Sequence, residues 1–214
     1  MAGLSAKICG LTDTAAVAAA VAGGAAFAGF VFFPPSPRNL GPARAGELIA
    51  GLAPDVTPVG VFADPTDDQL EAVLAAAPLC LIQLHGKETP ARAGEIKDRF
   101  GLPVMKAVPV AGPDDVARAE GYVGSVDWLM FDAKAPETAT RPGGNALSFD
   151  WELLAAADWP LPWMLSGGLD ADNLAQAAQV SGARVVDVSS GVEDRPGVKN
   201  PEKIRAFLEI ARTL

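Results

Sequence analysis

Short apolar runs alternate with longer helix-forming segments along the whole chain. Ala6–Gly10 reads as a strand, and Thr12 and Asp13 then stand where a helix cap belongs, with the helix running to about Val21. Ala26–Phe33 is the second strand, followed by a Pro-rich loop and a helix over Pro42–Leu52. Thr57–Phe62 leads to a helix that starts near Pro65 and Thr66, with Asp67, Asp68 and Glu71 offsetting the positive end of its dipole. Leu79–Leu84 leads through His85 and Gly86 to Thr89–Phe100. The second half keeps the rhythm, with strands at Val104–Val108, Val126–Phe131, Trp163–Leu165 and Val185–Val188. Their helices fall at Pro113–Gly121, Asp150–Ala157, Asp170–Val180 and Pro201–Arg212.

Eight strand–helix units in 214 residues give a spacing of about 27 residues each. Alternation of this kind implies a parallel sheet with helices packed outside it. A near-continuous apolar run such as Ala26–Phe33 suits a strand buried on both faces. An open flavodoxin-like sheet uses about five units and leaves three without a place. The expected fold class is therefore α/β, a closed (β/α)8 barrel (TIM barrel) spanning residues 1–214 as a single domain.

Composition narrows the function classes. Half the residues are hydrophobic and 20% charged, and the net charge of −9 opposes broad binding to nucleic acid or to an anionic membrane surface. The stretch from Thr14 to Pro37 carries no ionisable side chain, but Gly23 and Gly24 divide it into an Ala-rich helix and a β-branched and aromatic strand, so no membrane span is expected. Two cysteines, Cys9 and Cys80, form no disulfide framework, and no secretory signal is visible at the N-terminus. A cytoplasmic setting is expected. Cys80, read as lying inside an apolar strand, is expected to be a buried inert thiol.

In such a barrel the chemistry gathers at the C-terminal ends of the strands. There the sequence places Cys9, the loop residue Arg38, Gln83 and His85, Asp132, Gly167 and Gly168, and Asp187 with Ser189, Ser190 and Gly191. Gly167-Gly168 and Ser189-Ser190-Gly191 offer unobstructed backbone N–H groups, and Gly191-Val192-Glu193 is expected to begin a short helix facing the same point. Together they read as a phosphate cradle that needs no side-chain cation. Cys9, at a strand end beside Lys7, is a candidate general base, or else a small buried hydrophobe. Asp132, ending an apolar strand, is either a general acid facing Cys9 across the barrel mouth or an acceptor for the following loop. Arg38, in a stiff Pro-Pro-Ser-Pro-Arg loop, is either a carboxylate ligand or a surface arginine. One histidine and no cluster of acids or cysteines at ligand spacing give a metal site little support. An aldolase-type barrel would need a Schiff-base lysine, for which Lys106 is the one good candidate.

These motifs, in this order, resemble the phosphoribosylanthranilate isomerase family of tryptophan biosynthesis. The resemblance rests on KICGLT at Lys7–Thr12, GFVFFPPSPR at Gly29–Arg38, QLHGKE at Gln83–Glu88, LSGGL at Leu165–Leu169 and VDVSSGVEDRPGVKN at Val186–Asn200, and covers essentially the whole chain. It implies an Amadori rearrangement of a phosphorylated small molecule without metal or organic cofactor. Asp132 would be the general acid and Cys9 the general base. Arg38 would pair with the anthranilate carboxylate, the backbones around Gly168, Ser189, Ser190 and Gly191 would hold the phosphate, and Gln83, His85 and Asp187 would line the pocket. A monomer or weak homodimer is expected. Members often carry Gly-Gly-Thr-Gly before a Phe-Asp-Trp, whereas Gly143-Gly144-Asn145-Ala146 stands here, within a long loop from Ala133 to Leu147 read as a mobile lid.

Overall fold

The computed structural model describes residues 3–134, 143, 148–155 and 159–214. Most of the loop Ala133–Leu147 and the end of the helix expected to reach Ala157 lie outside the described residues. The first half comprises β1 (Ser5–Cys9), α1 (Thr14–Ala22), β2 (Phe27–Val31), α2 (Pro42–Ile49), β3 (Thr57–Phe62), α3 (Asp67–Ala76), β4 (Leu81–Leu84) and α4 (Pro90–Phe100). The second comprises β5 (Val104–Val110), α5 (Pro113–Arg118), β6 (Trp128–Ala133), α6 (Glu152–Ala155), β7 (Trp163–Leu165), α7 (Leu174–Ser181), β8 (Val185–Val188), a hairpin of β9 (Glu193–Arg195) and β10 (Val198–Lys199), and α8 (Pro201–Thr213).

β1 to β8 pair in sequence order, and β1 closes on β8 in parallel, with Ser5 opposite Val185 and Lys7 opposite Asp187. The eight-strand parallel barrel expected from the alternation is the observed architecture. Helix starts are set by capping side chains that accept otherwise unpaired N–H groups: Asp13 from Ala16, Thr66 from Gln69, Thr89 from Arg92 and Asn200 from Glu202 and Lys203.

Strand alternation sorts the side chains into two cores. Ile8, Ile82, Leu129, Phe131, Leu165 and Val186 face outward and pack beneath the helices. Val59, Leu81, Met105, Ala107, Met130 and Met164 fill the barrel interior as an apolar floor. The same alternation carries Lys7, Cys9, Gln83, Asp132, Ser166 and Asp187 into the interior above that floor, where all six are buried.

Several boundaries differ from the sequence reading, each for a local reason. β6 begins two residues later than expected, because Ser125 and Asp127 are held in a turn by Tyr122 and the carbonyl of Val104. It ends two residues later, because β5 continues to Val110 and pairs it with Ala133. Asp132 therefore lies inside the strand. α7 starts at Leu174, since the Asp170 carboxylate accepts the N–H groups of Asp172 and Asn173 and closes a turn before it. Cys80 is exposed and precedes β4, which corrects its reading as a buried thiol within a strand. Among the described residues no helix is long and apolar enough to cross a membrane.

Candidate active site

A cavity open to solvent occupies the C-terminal mouth of the barrel. Its wall includes Cys9, Arg38, His85, Asp132, Gly167, Gly168, Asp187, Ser189 and Ser190. Gln83 and Gly191 are not part of that wall. Gln83 is fully buried behind His85. Gly191 is packed so closely that a Cβ there would clash with the carbonyl oxygen of Leu169.

Asp132 and His85 form a short chain with Gln83. His85 Nε2 lies 2.9 Å from Asp132 Oδ2, and Gln83 Nε2 lies 2.9 Å from His85 Nδ1. The other oxygen of Asp132 accepts the N–H of Ala133 at 2.9 Å. The carboxyl group is thus oriented from two sides at the cavity wall. Gly143 lies against the same pair, where a Cβ would come within 2.8 Å of both His85 Nε2 and Asp132 Oδ2.

Cys9 sits on the opposite part of the wall, from β1, over a small apolar cluster with Val31, Val61 and Phe33. Burial pushes its thiol above the ordinary value; the charges of Lys7 and Lys199 pull it down, and that of Asp187 pushes it up. Beneath it, Lys7 Nζ donates to Asp187 Oδ1 at 2.8 Å, and Ser166 Oγ donates to Asp187 Oδ2 at 3.0 Å.

Arg38 is 3% exposed and bound by both arms to a residue the sequence reading did not select. Its Nε and Nη2 donate to Glu193 Oε1 and Oε2 at 2.7 and 2.8 Å, a bidentate pairing that fixes the plane of the guanidinium. Burial would raise the Glu193 carboxyl, but the hydrogen bonds from Arg38 and the charge of Lys199 outweigh it and hold the group below the usual carboxylate range. Gly10 leaves room for the arginine stem: a Cβ there would lie 2.5 Å from Arg38 Cδ.

The loops after β7 and β8 face the same cavity. Gly167 and Gly168 take φ values of 94° and 64°, a backbone that L side chains rarely adopt. Among the described residues the N–H groups of Gly168, Ser190 and Gly191 have no backbone acceptor. The short helical turn begins at Ser190 and ends at Val192, and Glu193 turns away into β9, so the helix expected to start at Gly191 is instead one 3-10 turn. The β9–β10 hairpin returns a cation to this loop. Lys199 Nζ donates to Ser189 O at 2.9 Å, to Ser189 Oγ at 3.2 Å and to Glu193 Oε1 at 2.8 Å. The cradle thus has a buried lysine behind it, its amine pulled below the ordinary lysine range by burial against the charge of Glu193, where backbone N–H groups alone were expected.

Lys106 is excluded as a Schiff-base residue by its face. It lies out of phase with Met105 and Ala107 of the interior, and its Nζ donates to Glu88 Oε2 and to the carbonyl of Gly86, both at 2.7 Å. Glu88 also accepts the N–H groups of Asp64 and Gly86. The pair pins the loop that carries His85. Among the described residues no group of three or more His, Cys, Asp or Glu side chains is placed to hold a metal.

Glu193, Lys199 and the roles of Ser166 and Lys7 escaped the sequence reading. The pair Arg38–Glu193 is 155 residues apart in the chain, and hydrophobic periodicity carries no signal of such partners.

The family model described as N-(5'-phosphoribosyl)anthranilate (PRA) isomerase matches residues 6–210. The chain belongs to the PRA isomerase family. It is an enzyme of that family, an isomerase of tryptophan biosynthesis. The N-(5'-phosphoribosyl)anthranilate isomerase of Paramagnetospirillum magneticum is 53% identical over 206 residues, covering 96% of each chain. The crystal structure of the phosphoribosyl anthranilate isomerase of Thermotoga maritima superposes with a TM-score of 0.88 at 35% identity, over 99% of this chain and all of that one. A PRA isomerase crystallised with reduced 1-(o-carboxyphenylamino)-1-deoxyribulose 5-phosphate superposes with a TM-score of 0.84 at 32% identity, over 99% and 100% of the two chains.

Proposed function

We propose that this PRA isomerase works as one catalytic barrel domain over residues 1–214, with Asp132 as general acid and Cys9 as general base of the Amadori rearrangement of N-(5'-phosphoribosyl)anthranilate. The observation that carries the reading is the presence of both groups on the wall of one cavity, Asp132 oriented by His85 and the Ala133 N–H, and Cys9 beside the stem of the buried Lys7. Asp132 gives a proton to the ribose ring oxygen as the bond from that oxygen to C1 breaks, leaving a protonated Schiff base between C1 and the anthranilate nitrogen. Cys9, as thiolate, removes the proton from C2. The released electron pair forms the C1–C2 double bond and neutralises the nitrogen. The enolamine then gains a proton at C1 and loses the C2 hydroxyl proton, so the ketone product has the composition of the substrate. The reading needs no metal or organic cofactor.

The phosphate is assigned to the N–H groups around Gly168, Ser190 and Gly191, which have no backbone acceptor among the described residues, with Gly167 and Ser189 shaping the loops and Lys199 placed behind them. This arrangement supports anion binding despite a net charge of −9. Arg38 is assigned to the anthranilate carboxylate, His85 and Asp187 to the sugar, and Gln83 to the support of His85. Loss of anthranilate-substrate fluorescence on adding the purified protein tests the reaction; no loss at micromolar enzyme sinks it.

Glu193 aims Arg38, so Glu193→Gln should raise KM about tenfold and change kcat little, because one charge-assisted bond to the guanidinium is weakened. A fall in kcat at constant KM would remove Arg38 from substrate binding. Scattered exposed large hydrophobics among the described residues (Val123, Val198 and Leu214) support a monomer or weak homodimer; sedimentation showing a tight dimer would contradict it.

A further inference from the structure

The least comfortable charge in the molecule is Lys7. It is fully buried inside the barrel, and the pair it makes with Asp187 is the kind that well-packed apolar residues replace at little or no cost in stability. Stability therefore does not account for it.

Its position does. Lys7 and Cys9 are two residues apart on β1, so both side chains project to the same face. On the neighbouring strand the register partner of Cys9 is Gly29. A Cβ at Gly29 would lie 3.0 Å from Cys9 Sγ and 3.2 Å from Lys7 Cε, so the thiol and the end of the lysine stem lie side by side over one bare Cα. A Cβ there would be tight against both, so each would have to give by a few tenths of an ångström. On its far side the ammonium is fixed by Asp187, itself held by Ser166.

We propose that Lys7 is a positioning residue for the isomerase reaction, a buried cation that stabilises the thiolate form of Cys9, with Asp187 and Ser166 holding it in place. The proposal rests on the reading of Cys9 as the base. The charged groups bearing on Cys9 are Lys7 from β1, Asp187 from β8 and Lys199 from β10, while Gly29 on β2 contributes none. Burial raises the thiol, Lys7 is the largest influence against it, Lys199 acts with Lys7, and Asp187 acts with burial. Burial would also lower the ammonium of Lys7, but Asp187 and Cys9 more than offset this, so Lys7 stays charged. Without Lys7, Cys9 faces burial and an uncompensated carboxylate.

The test is carried out on the full chain with the exposed Cys80 replaced by serine, so that only Cys9 reacts. Iodoacetamide alkylation is followed against pH, and turnover is followed separately. Lys7→Met should slow alkylation about tenfold or more near neutral pH and move its pH profile upward. It should also lower kcat about a hundredfold with KM nearly unchanged. Lys7→Gln, which keeps a polar partner for Asp187 without the charge, should move alkylation in the same direction and serves if Lys7→Met does not fold. An unchanged alkylation profile in Lys7→Met, or in Lys7→Gln where that is the variant that folds, overturns the proposal. Failure of the underlying reading looks different: Cys9→Ala then keeps its turnover.

Discussion

Cys9→Ala should lower kcat by about three to four orders of magnitude, the range a positioned general base supplies, while leaving the barrel folded. The substitution removes one sulfur atom from a thiol that packs against Val31, Val61 and Phe33, beside the Lys7 stem, at the cavity wall. The stability cost is accordingly small, about 1 kcal/mol, and a thermal melt should move by only a few degrees. Substrate binding should persist, since Arg38 and the loops after β7 and β8 are untouched. The measurement is the fluorescence of the anthranilate substrate under saturating conditions, beside the melt. Near-full turnover in a folded variant would remove Cys9 from the chemistry.

Asp132→Asn should be nearly as damaging, lowering kcat about a thousandfold at similar KM. Asparagine keeps the shape of the side chain, and its carbonyl can still accept the N–H of Ala133. The amide can still meet His85 Nε2, so the local fold should survive. It has no acidic proton to give as the ring opens. A variant that binds substrate normally and turns it over slowly is the expected result. One that turns over at the wild-type rate would assign the acid to another group. If Asp132→Asn instead raised KM and spared kcat, the carboxyl would be a binding group.

The barrel was legible in the sequence because its signal is local and repeated. β3, β7 and β8 have the bounds that the apolar runs mark, and the helix starts near Asp13, Thr66 and Thr89 stand where the sequence puts them. The errors arose where a neighbour decides. β6 runs on through Asp132 because β5 offers it a partner as far as Val110, and no property of β6 alone records that. Cys80 reads as part of an apolar strand, yet it precedes β4 and faces solvent. At the site, residues at strand ends were visible by position, whereas the side chains that hold them were not. Glu193 and Lys199 reach Arg38 and Ser189 only because the β9–β10 hairpin folds back over the mouth, a turn that no hydrophobic period marks.

The link between Lys7 and Asp187 also bears on how the molecule is put together in time. The two residues are 180 positions apart and meet only when β8 docks against β1. Until then the lysine cannot enter the barrel without leaving an ammonium in apolar surroundings at a cost of several kcal/mol, so it stays in water. A chain still lacking its last strand, whether on the ribosome or clipped by a protease, thus keeps the β1 edge wet and open. In such a chain the seam between β1 and β8 is still open, and the wall around Cys9 is complete only with the final strand.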